Sequence, residues 1–347
     1  MALQFLTALK MYLTVSFLGL LGIPLCFLVF SRIRGGAVLF ARPAMLLLIT
    51  YLVWIASTIH LLPFTRLGIV IAALIILGAT APLLLKKREQ LLERLREDLP
   101  IIWRGELLFL IVFLVAVFFK MHKSITYGTE KYMDLALLSS IFRTRWMPPA
   151  DPWLSGHSIN YYYGGYMIFA GLAKLAGVSA AVGYNLAIAL TFALVAVCIY
   201  TLVYSLTKSH WLGLLGCVLH SWIGNLEAAR QVTRHLLTGF ASQISSPTRI
   251  FVWFFSAFHP INLWKTTRVI VDATGGETIN EYPLFTFYWG DLHPHLTSMP
   301  FVILVLALIW QLLKSPEKGT LTQRLKKDLP GSLFLSLSLG GLALING

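Results

Sequence analysis

Residues 180–207 read AAVGYNLAIALTFALVAVCIYTLVYSLT, twenty-eight positions without one Asp, Glu, Lys or Arg. A helix of about 20 apolar residues is long enough to cross the hydrocarbon core of a bilayer. Similar apolar runs predict further helices near residues 11–30, 43–63, 67–85, 105–120, 211–226, 296–313 and 331–347. The pattern therefore predicts an all-α polytopic membrane protein with about eight transmembrane helices.

Composition and charge placement agree with this prediction. Of the 347 residues, 57% are hydrophobic and only 12% are charged, whereas roughly a quarter are charged in a soluble domain. The net charge is +13, but Lys and Arg concentrate beside apolar runs, with six in 86–104 and five in 314–330. This placement is typical of cytoplasmic loops and argues against a nucleic-acid partner. We expect a multi-pass protein of the plasma membrane, in contact with membrane lipid.

The basic segments also predict the domain organisation. The charged stretch 86–99 has leucines at helical spacing, which predicts an amphipathic helix on the membrane surface. The sequence RLREDLP at 94–100 resembles RLKKDLP at 324–330. We interpret both as surface helices that end at a proline, in preference to an internal duplication. The expected domains are residues 1–104, an N-terminal three-helix region with this cytoplasmic segment, and residues 105–347, a membrane domain whose abrupt apolar end predicts a truncated chain.

The two basic segments predict the topology when they are assigned to the cytoplasm. Residues 121–161 then lie outside, and residues 162–177 lie along the outer surface as an interfacial helix. Crossings by 180–207 and 211–226 bring the following segment back outside. An alternative treats residues 250–264 as a further spanning helix. Two polar segments carry carboxylates, one with Glu130 and Asp134 and one with Asp291. In the preferred topology both face the non-cytoplasmic side.

The first of these segments contains Glu130 and Asp134. Because they are four positions apart, they share one face of a helix that opens near Thr129. One of them could act as a general base. The alternative is a solvated face with a favourable negative charge at the helix N-terminus.

The residues that follow this helix are candidates for substrate binding. Arg143 and Arg145 could bind phosphate, because a guanidinium group holds phosphate oxygens bidentately. Anchoring of lipid headgroups is an equal alternative. For the tyrosines, an aromatic belt at the membrane boundary is the simpler interpretation. The other candidates for substrate contacts are Asp151, Trp153, Asn160, Tyr161, Tyr162 and Tyr163.

The second segment, Gly290–His295, reads GDLHPH. In an extended backbone Asp291, His293 and His295 alternate and point the same way. Such a trio suits a divalent cation, Mg or Mn, or a neighbouring pyrophosphate. The alternative is a proline-containing helix entry with polar caps. The sequence contains no phosphate-binding loop, dinucleotide fingerprint, nucleophile elbow or zinc-protease motif.

Taken together, these motifs resemble a family of large prokaryotic membrane proteins named after its triple tyrosine, the "Chlor_Arch_YYY" domain. The resemblance covers about residues 105–347. That family is in turn similar to integral-membrane glycosyltransferases of the GT-C type, which have interfacial helices in a large external loop. The motifs that carry the resemblance are EKYMD at 130–134, PPADPW at 148–153, NYYY at 160–163, Thr267-Arg268 and GDLHPH at 290–295.

The resemblance implies an inverting glycosyltransferase that uses a polyprenyl-phosphate-linked sugar on the non-cytoplasmic face. Glu130 or Asp134 matches the acidic residue of the first external loop, and Asp291 matches the second acidic residue. Asp291 with His293 and His295 would then position a metal ion or the donor phosphate. Where the family has an adjacent acidic pair this chain has Gly128-Thr129-Glu130, which leaves the identity of the base open. Fixed positive charges that stabilise the departing phosphate are expected from Arg143, Arg145 and Arg268.

A function of a different class is the alternative. The chain could be a non-catalytic transporter or assembly subunit that binds lipid-linked sugars or polysaccharide. That function predicts ionisable residues inside several spanning helices, whereas we expect only His60 and His220 as polar exceptions in the predicted spans. A third alternative is that the truncated chain is inert. The sugar, the acceptor and the oligomeric state do not follow from the sequence.

Overall fold

The computed structural model describes residues 2–122, 130–243, 262–314 and 320–346. Within these ranges the chain is helical and forms no strand, only two isolated β-bridges. Thr129, near which a helix was predicted to open, and residues 250–261 of the alternative spanning helix 250–264 lie outside these ranges. The helices are α1 (Ala2–Val29), α2 (Gly36–Leu39), α3 (Ala41–Thr58), α4 (Arg66–Leu85), α5 (Arg88–His122), α6 (Lys131–Arg143), α7 (Gly164–Ala176), α8 (Ala180–Thr207), α9 (His210–Trp222), α10 (Glu227–Gln243), a short 3-10 turn (Lys265–Thr267), α11 (Pro283–Trp289), α12 (Pro294–Leu313), α13 (Leu321–Lys327) and α14 (Leu329–Asn346).

Six of these helices are long and apolar enough to cross a membrane: α1, α3, α5, α8, α12 and α14. The prediction of an all-α polytopic membrane protein is therefore confirmed. The apolar parts of α4 and α7 are shorter. In the predicted crossing at 211–226, α9 has 13 residues and rises only about 20 Å, against the roughly 30 Å of a hydrocarbon core, so this crossing stays a prediction.

The described chain forms two compact units. The first comprises residues 1–217 and 290–347, and the second comprises residues 218–289. In the first unit α5 packs along α8, α1 packs along α3, and α12 packs against α14 and α8. The predicted domain boundary between residues 104 and 105 lies inside α5, and the predicted domains stay a prediction.

The prediction that a proline ends a surface helix is wrong for α5, which continues through Pro100. Proline removes one backbone hydrogen bond from a helix interior, but here both flanks of Pro100 contact the same segment. On one side Asp98 accepts a hydrogen bond from the backbone of Gly35 at 2.8 Å, and on the other side Ile101 packs against that glycine. Tertiary contacts thus keep the helix continuous. In the second copy of the motif, a break at Asp328 does separate α13 from α14.

One end of the first unit carries an arginine cluster, which we define as Arg32, Arg34 and Arg94. The aspartates of the two repeated motifs bind within it, since Asp98 lies 2.6 Å from Arg34 and Asp328 lies 3.4 Å from Arg32. Arg94 donates to the backbone oxygens of residues 30 and 33, at the end of α1. The cluster therefore joins α1, α5 and the start of α14.

The opposite end of the first unit gathers the C-terminus of α5 and the N-termini of α8 and α12. There Lys120 of α5 touches Gly290, which precedes α12, and Tyr184 of α8 donates to the carbonyl oxygen of the same glycine. Both carboxylate segments lie at this end, as the topology predicts. That this end is the non-cytoplasmic one stays a prediction from the charge distribution.

The spanning helices carry an ion pair that the sequence analysis missed. Arg42 of α3 and Glu106 of α5 form two hydrogen bonds of 2.7 and 2.6 Å, and Ser16 of α1 accepts a third at 3.2 Å. The Arg42 side chain is 7% exposed and lies over the ring of Phe109. The prediction that these spans hold only His60 and His220 as polar exceptions is therefore wrong.

We expect Glu106→Gln to lower the melting temperature of the detergent-solubilised protein strongly. Removing one partner of a buried pair leaves an uncompensated charge, at a cost of about 3–5 kcal/mol. The double variant Arg42→Met/Glu106→Met removes both charges and should melt above Glu106→Gln alone. Equal melting temperatures for the wild type and Glu106→Gln would contradict this account of the pair.

Candidate functional site

The site is assembled in the first unit around Asp134, whose side chain is completely buried on the first turn of α6. The Tyr166 hydroxyl of α7 donates to its Oδ1 at 2.5 Å, and the Tyr184 hydroxyl of α8 lies 3.5 Å from its Oδ2. The Asp134 carboxyl group also makes a hydrogen bond with the carboxyl group of Asp291. The two predicted acidic segments therefore meet.

A proton accounts for the contact between these two carboxyl groups. Two carboxylates can only accept, so one of the pair must be protonated. The pKa of Asp134 is raised to about 8, chiefly by burial and then by the hydrogen bond with Asp291, whereas the Tyr166 hydroxyl lowers it. The two carboxyl groups therefore share one proton.

The loop before α12 is held in place by Tyr184. Its hydroxyl donates to the carbonyl oxygen of Gly290 at 3.2 Å and accepts the backbone N–H of Leu292 at 3.1 Å. Gly290 has φ +80°, a left-handed conformation that glycine adopts without strain. Leu292 is fully buried. The alternation of the motif thus directs Leu292 into the protein, while Asp291 and His293 remain half-buried.

A second group of contacts begins at His293. Its Nε2 lies 3.1 Å from Glu130 Oε2 and 3.1 Å from the Tyr161 hydroxyl, and its Nδ1 lies 2.5 Å from Nδ1 of His295. Burial lowers the pKa of His293, so the contact with Glu130 is a hydrogen bond of a neutral ring rather than an ion pair. A carboxylate only accepts, which assigns the proton to Nε2, and Nδ1 then accepts from His295.

The triple tyrosine divides into three separate environments. Tyr161 reaches His293, as described. Tyr162 stacks at an angle on Tyr161, with ring centres 5.1 Å apart, and is 41% exposed. Tyr163 accepts a hydrogen bond of 2.7 Å from the indole N–H of Trp54 on α3. The first tyrosine therefore belongs to the site and the third joins it to the bundle.

Of the predicted phosphate-binding arginines, Arg143 and Arg145 have exposed side chains in the first unit. Arg143 lies nine residues after Asp134 on α6, which separates their backbones by about 14 Å. Arg145 is exposed beside Trp146. Arg268 belongs to the second unit, where it lies over the Trp264 ring at 4.3 Å and 3.7 Å from Glu281.

Three further predicted residues lie in the loop between α6 and α7. Asp151 accepts the backbone N–H groups of Trp153 and Leu154 at 2.8 and 2.9 Å, and these bonds lower its pKa. Asp151 therefore stabilises a turn, and Trp153 is 60% exposed. Asn160 is exposed as well.

The structure does not arrange Asp291, His293 and His295 as a set of metal ligands. Among the described residues, no group of three or more His, Cys, Asp or Glu side chains could hold a metal ion. The two histidines instead point their Nδ1 atoms at each other. The metal assignment stays a prediction, and we derive no chemical step from it.

Three side chains of the site were not predicted: Tyr166, Tyr184 and Lys120. In the sequence the tyrosines are indistinguishable from a membrane-boundary belt, and Lys120 resembles the charge that commonly follows a spanning helix. The one available signal was that Tyr184 and Asn185 are polar residues early in an otherwise apolar run.

Comparison with known proteins identifies the family. The family model described as "Uncharacterized membrane protein (DUF2298)" matches residues 48–347, and the chain belongs to this family. No curated protein and no solved structure matches the chain. The family description agrees with a membrane protein. The resemblances to the triple-tyrosine domain and to GT-C enzymes stay predictions.

We expect the stability of the protein to fall between about pH 5 and pH 8 because of Asp134. Its pKa is 3.8 in the unfolded reference and about 8 in the fold, so the folded state binds the extra proton and loses stability as the pH rises through this window. Asp134→Asn cannot ionise and should weaken this slope in melting temperature. Asp151→Asn, at an exposed turn, is the matched control and should leave the slope unchanged. An unaltered slope in Asp134→Asn would refute the protonated state.

Proposed function

We propose that this DUF2298 protein is an inverting membrane glycosyltransferase that uses a polyprenyl-phosphate-linked sugar on the non-cytoplasmic face. The observation that supports it most is the hydrogen-bonded contact between Asp134 and Asp291, which unites two acidic segments more than a hundred residues apart in the chain. A transferase of this kind needs a base for the acceptor and a binding group for the phosphate at one site.

Glu130 is the carboxylate that we assign as the general base. Its side chain is 56% exposed, so a substrate hydroxyl can reach it. His293 donates a hydrogen bond to the same carboxylate. Asp134 was an equal candidate by sequence, but it has no exposed surface. We therefore assign Asp134 as a positioning residue that holds Asp291 and the loop before α12.

The proposed reaction transfers one proton and exchanges one bond. The acceptor hydroxyl gives its proton to Glu130 while its oxygen bonds to the anomeric carbon. The bond from that carbon to the phosphate oxygen breaks, and its electron pair leaves with the polyprenyl phosphate. Attack on the face opposite the leaving group inverts the configuration. Asp291 lies on the donor side of the site in this scheme.

The Arg42–Glu106 pair favours the second candidate, a non-catalytic transporter or assembly subunit. Ionisable residues inside spanning helices are rare and commonly mark transport pathways. This pair, however, is bidentate and nearly closed to solvent on the arginine side, which also suits a structural role. The transport function predicts binding or movement of a lipid-linked sugar without release of polyprenyl phosphate.

We expect Glu130→Gln to reduce the release of polyprenyl phosphate from a polyprenyl-phosphate hexose by about a hundredfold or more, the usual contribution of a general base. The assay uses the reconstituted protein, a pool of hexose acceptors and mass-spectrometric detection of the lipid product. Asp151→Asn serves as the control and should retain the wild-type rate. Wild-type turnover by Glu130→Gln would exclude this base, and no turnover by the wild type with any acceptor would favour the binding function.

A further inference from the structure

A lysine that none of the sequence motifs includes lies against the loop of the second acidic segment. The ammonium group of Lys120 occupies the space in which a Cβ on Gly290 would lie, and the same space is bordered by Ile188 of α8. Gly290 immediately precedes Asp291, and its carbonyl oxygen accepts the Tyr184 hydroxyl. Lys120 is therefore part of the same end of the first unit as the carboxyl pair.

We propose that Lys120 binds the phosphate group of the polyprenyl donor, an inference that rests on the proposed function and assigns its phosphate subsite. The position of this residue in the membrane fits the assignment. Lys120 lies two residues before the end of α5, a spanning helix, and is half-buried. A lysine there can run its methylene stem along apolar surface and hold its charge at headgroup level, where the phosphate of a lipid lies.

The charge balance of the site also requires a cation. The acidic side chains of the carboxyl pair and of Glu130 would repel a phosphate in a partly buried site. Of the arginines predicted for this role, Arg143 lies about 14 Å along α6 from Asp134, and Arg145 is exposed beside Trp146. A fixed ammonium group beside Gly290 supplies the missing attraction.

The spacing between the proposed base and Lys120 is compatible with one sugar. In this loop Gly290 contacts Lys120 and His293 contacts Glu130. The three residue steps from Gly290 to His293 span at most about 10 Å when extended. A hexose ring between a base and a phosphate fits within such a distance. Gly290 would then be required both for its positive φ and for the room that it leaves to the ammonium group.

The test measures binding without catalysis. A negative binding result can therefore be distinguished from the absence of the proposed reaction. The wild type, Lys120→Met, Lys120→Arg and Lys10→Met are compared in phosphatidylcholine nanodiscs for binding of a polyprenyl monophosphate and of the uncharged polyprenol. Lys10→Met is the matched control, because Lys10 is an exposed lysine on another spanning helix. We expect Lys120→Met to lose at least about tenfold in affinity for the monophosphate, and Lys120→Arg and Lys10→Met to bind like the wild type. Unchanged binding by a folded Lys120→Met, or equal binding of the polyprenol, would overturn the proposal.

Two additional arms decide the source of the phosphate and guard against misfolding. Displacement of the bound lipid by inorganic phosphate or by phosphatidylglycerol would assign the subsite to a free phosphate or a bulk headgroup and would overturn the polyprenyl assignment. In the unmodified protein, the polyprenyl monophosphate should protect Lys120 from acetylation by acetic anhydride, with Lys10 as the internal reference. Equal acetylation of Lys120 with and without the lipid would also refute the proposal.

Discussion

The hydrogen bond between the carboxyl groups of Asp134 and Asp291 is the constraint on which the site depends. It joins the start of α6 to the loop before α12, and the Tyr184 hydroxyl touches both. An isolated buried carboxylate is expensive, and protonation with a hydrogen-bonded partner removes most of that cost. Because the pair holds the loop, His293 two residues later comes within 3.1 Å of Glu130. One protonated acid thereby positions the more exposed groups.

Helix α5 connects the two polar ends of the first unit. Near its start, Asp98 binds the backbone of Gly35 and the side chain of Arg34, and near its end Lys120 lies against Gly290. Between these ends the helix packs along α8. In an apolar medium, polar side chains must find partners within the protein, so each end is closed by contacts between segments distant in the chain. The arginine cluster near the start of α5 and the carboxyl pair near its end are therefore held at opposite ends of the first unit.

Sequence reasoning predicted part of the site and missed part of it. The alternation of Asp291, Leu292 and His293 correctly separated a buried leucine from two half-buried polar groups. Arg143 and Arg145 were selected because a guanidinium group can hold phosphate oxygens bidentately, although phosphate binding also depends on where the charge lies. Pro100 was read as a helix stop, because a local rule cannot register contacts made on both of its sides.

The sequence by itself determined that this is an all-helical membrane protein, since long uncharged runs must bury their backbone hydrogen bonds in helices. It also determined which segments are polar enough to form a site. Only the tertiary structure decided that Asp134 is buried, that Tyr166 and Tyr184 bind it, and that α5 carries Lys120 to the loop before α12. The physical reason is that burial and pairing depend on contacts between distant segments, whereas hydropathy is a property of each segment alone.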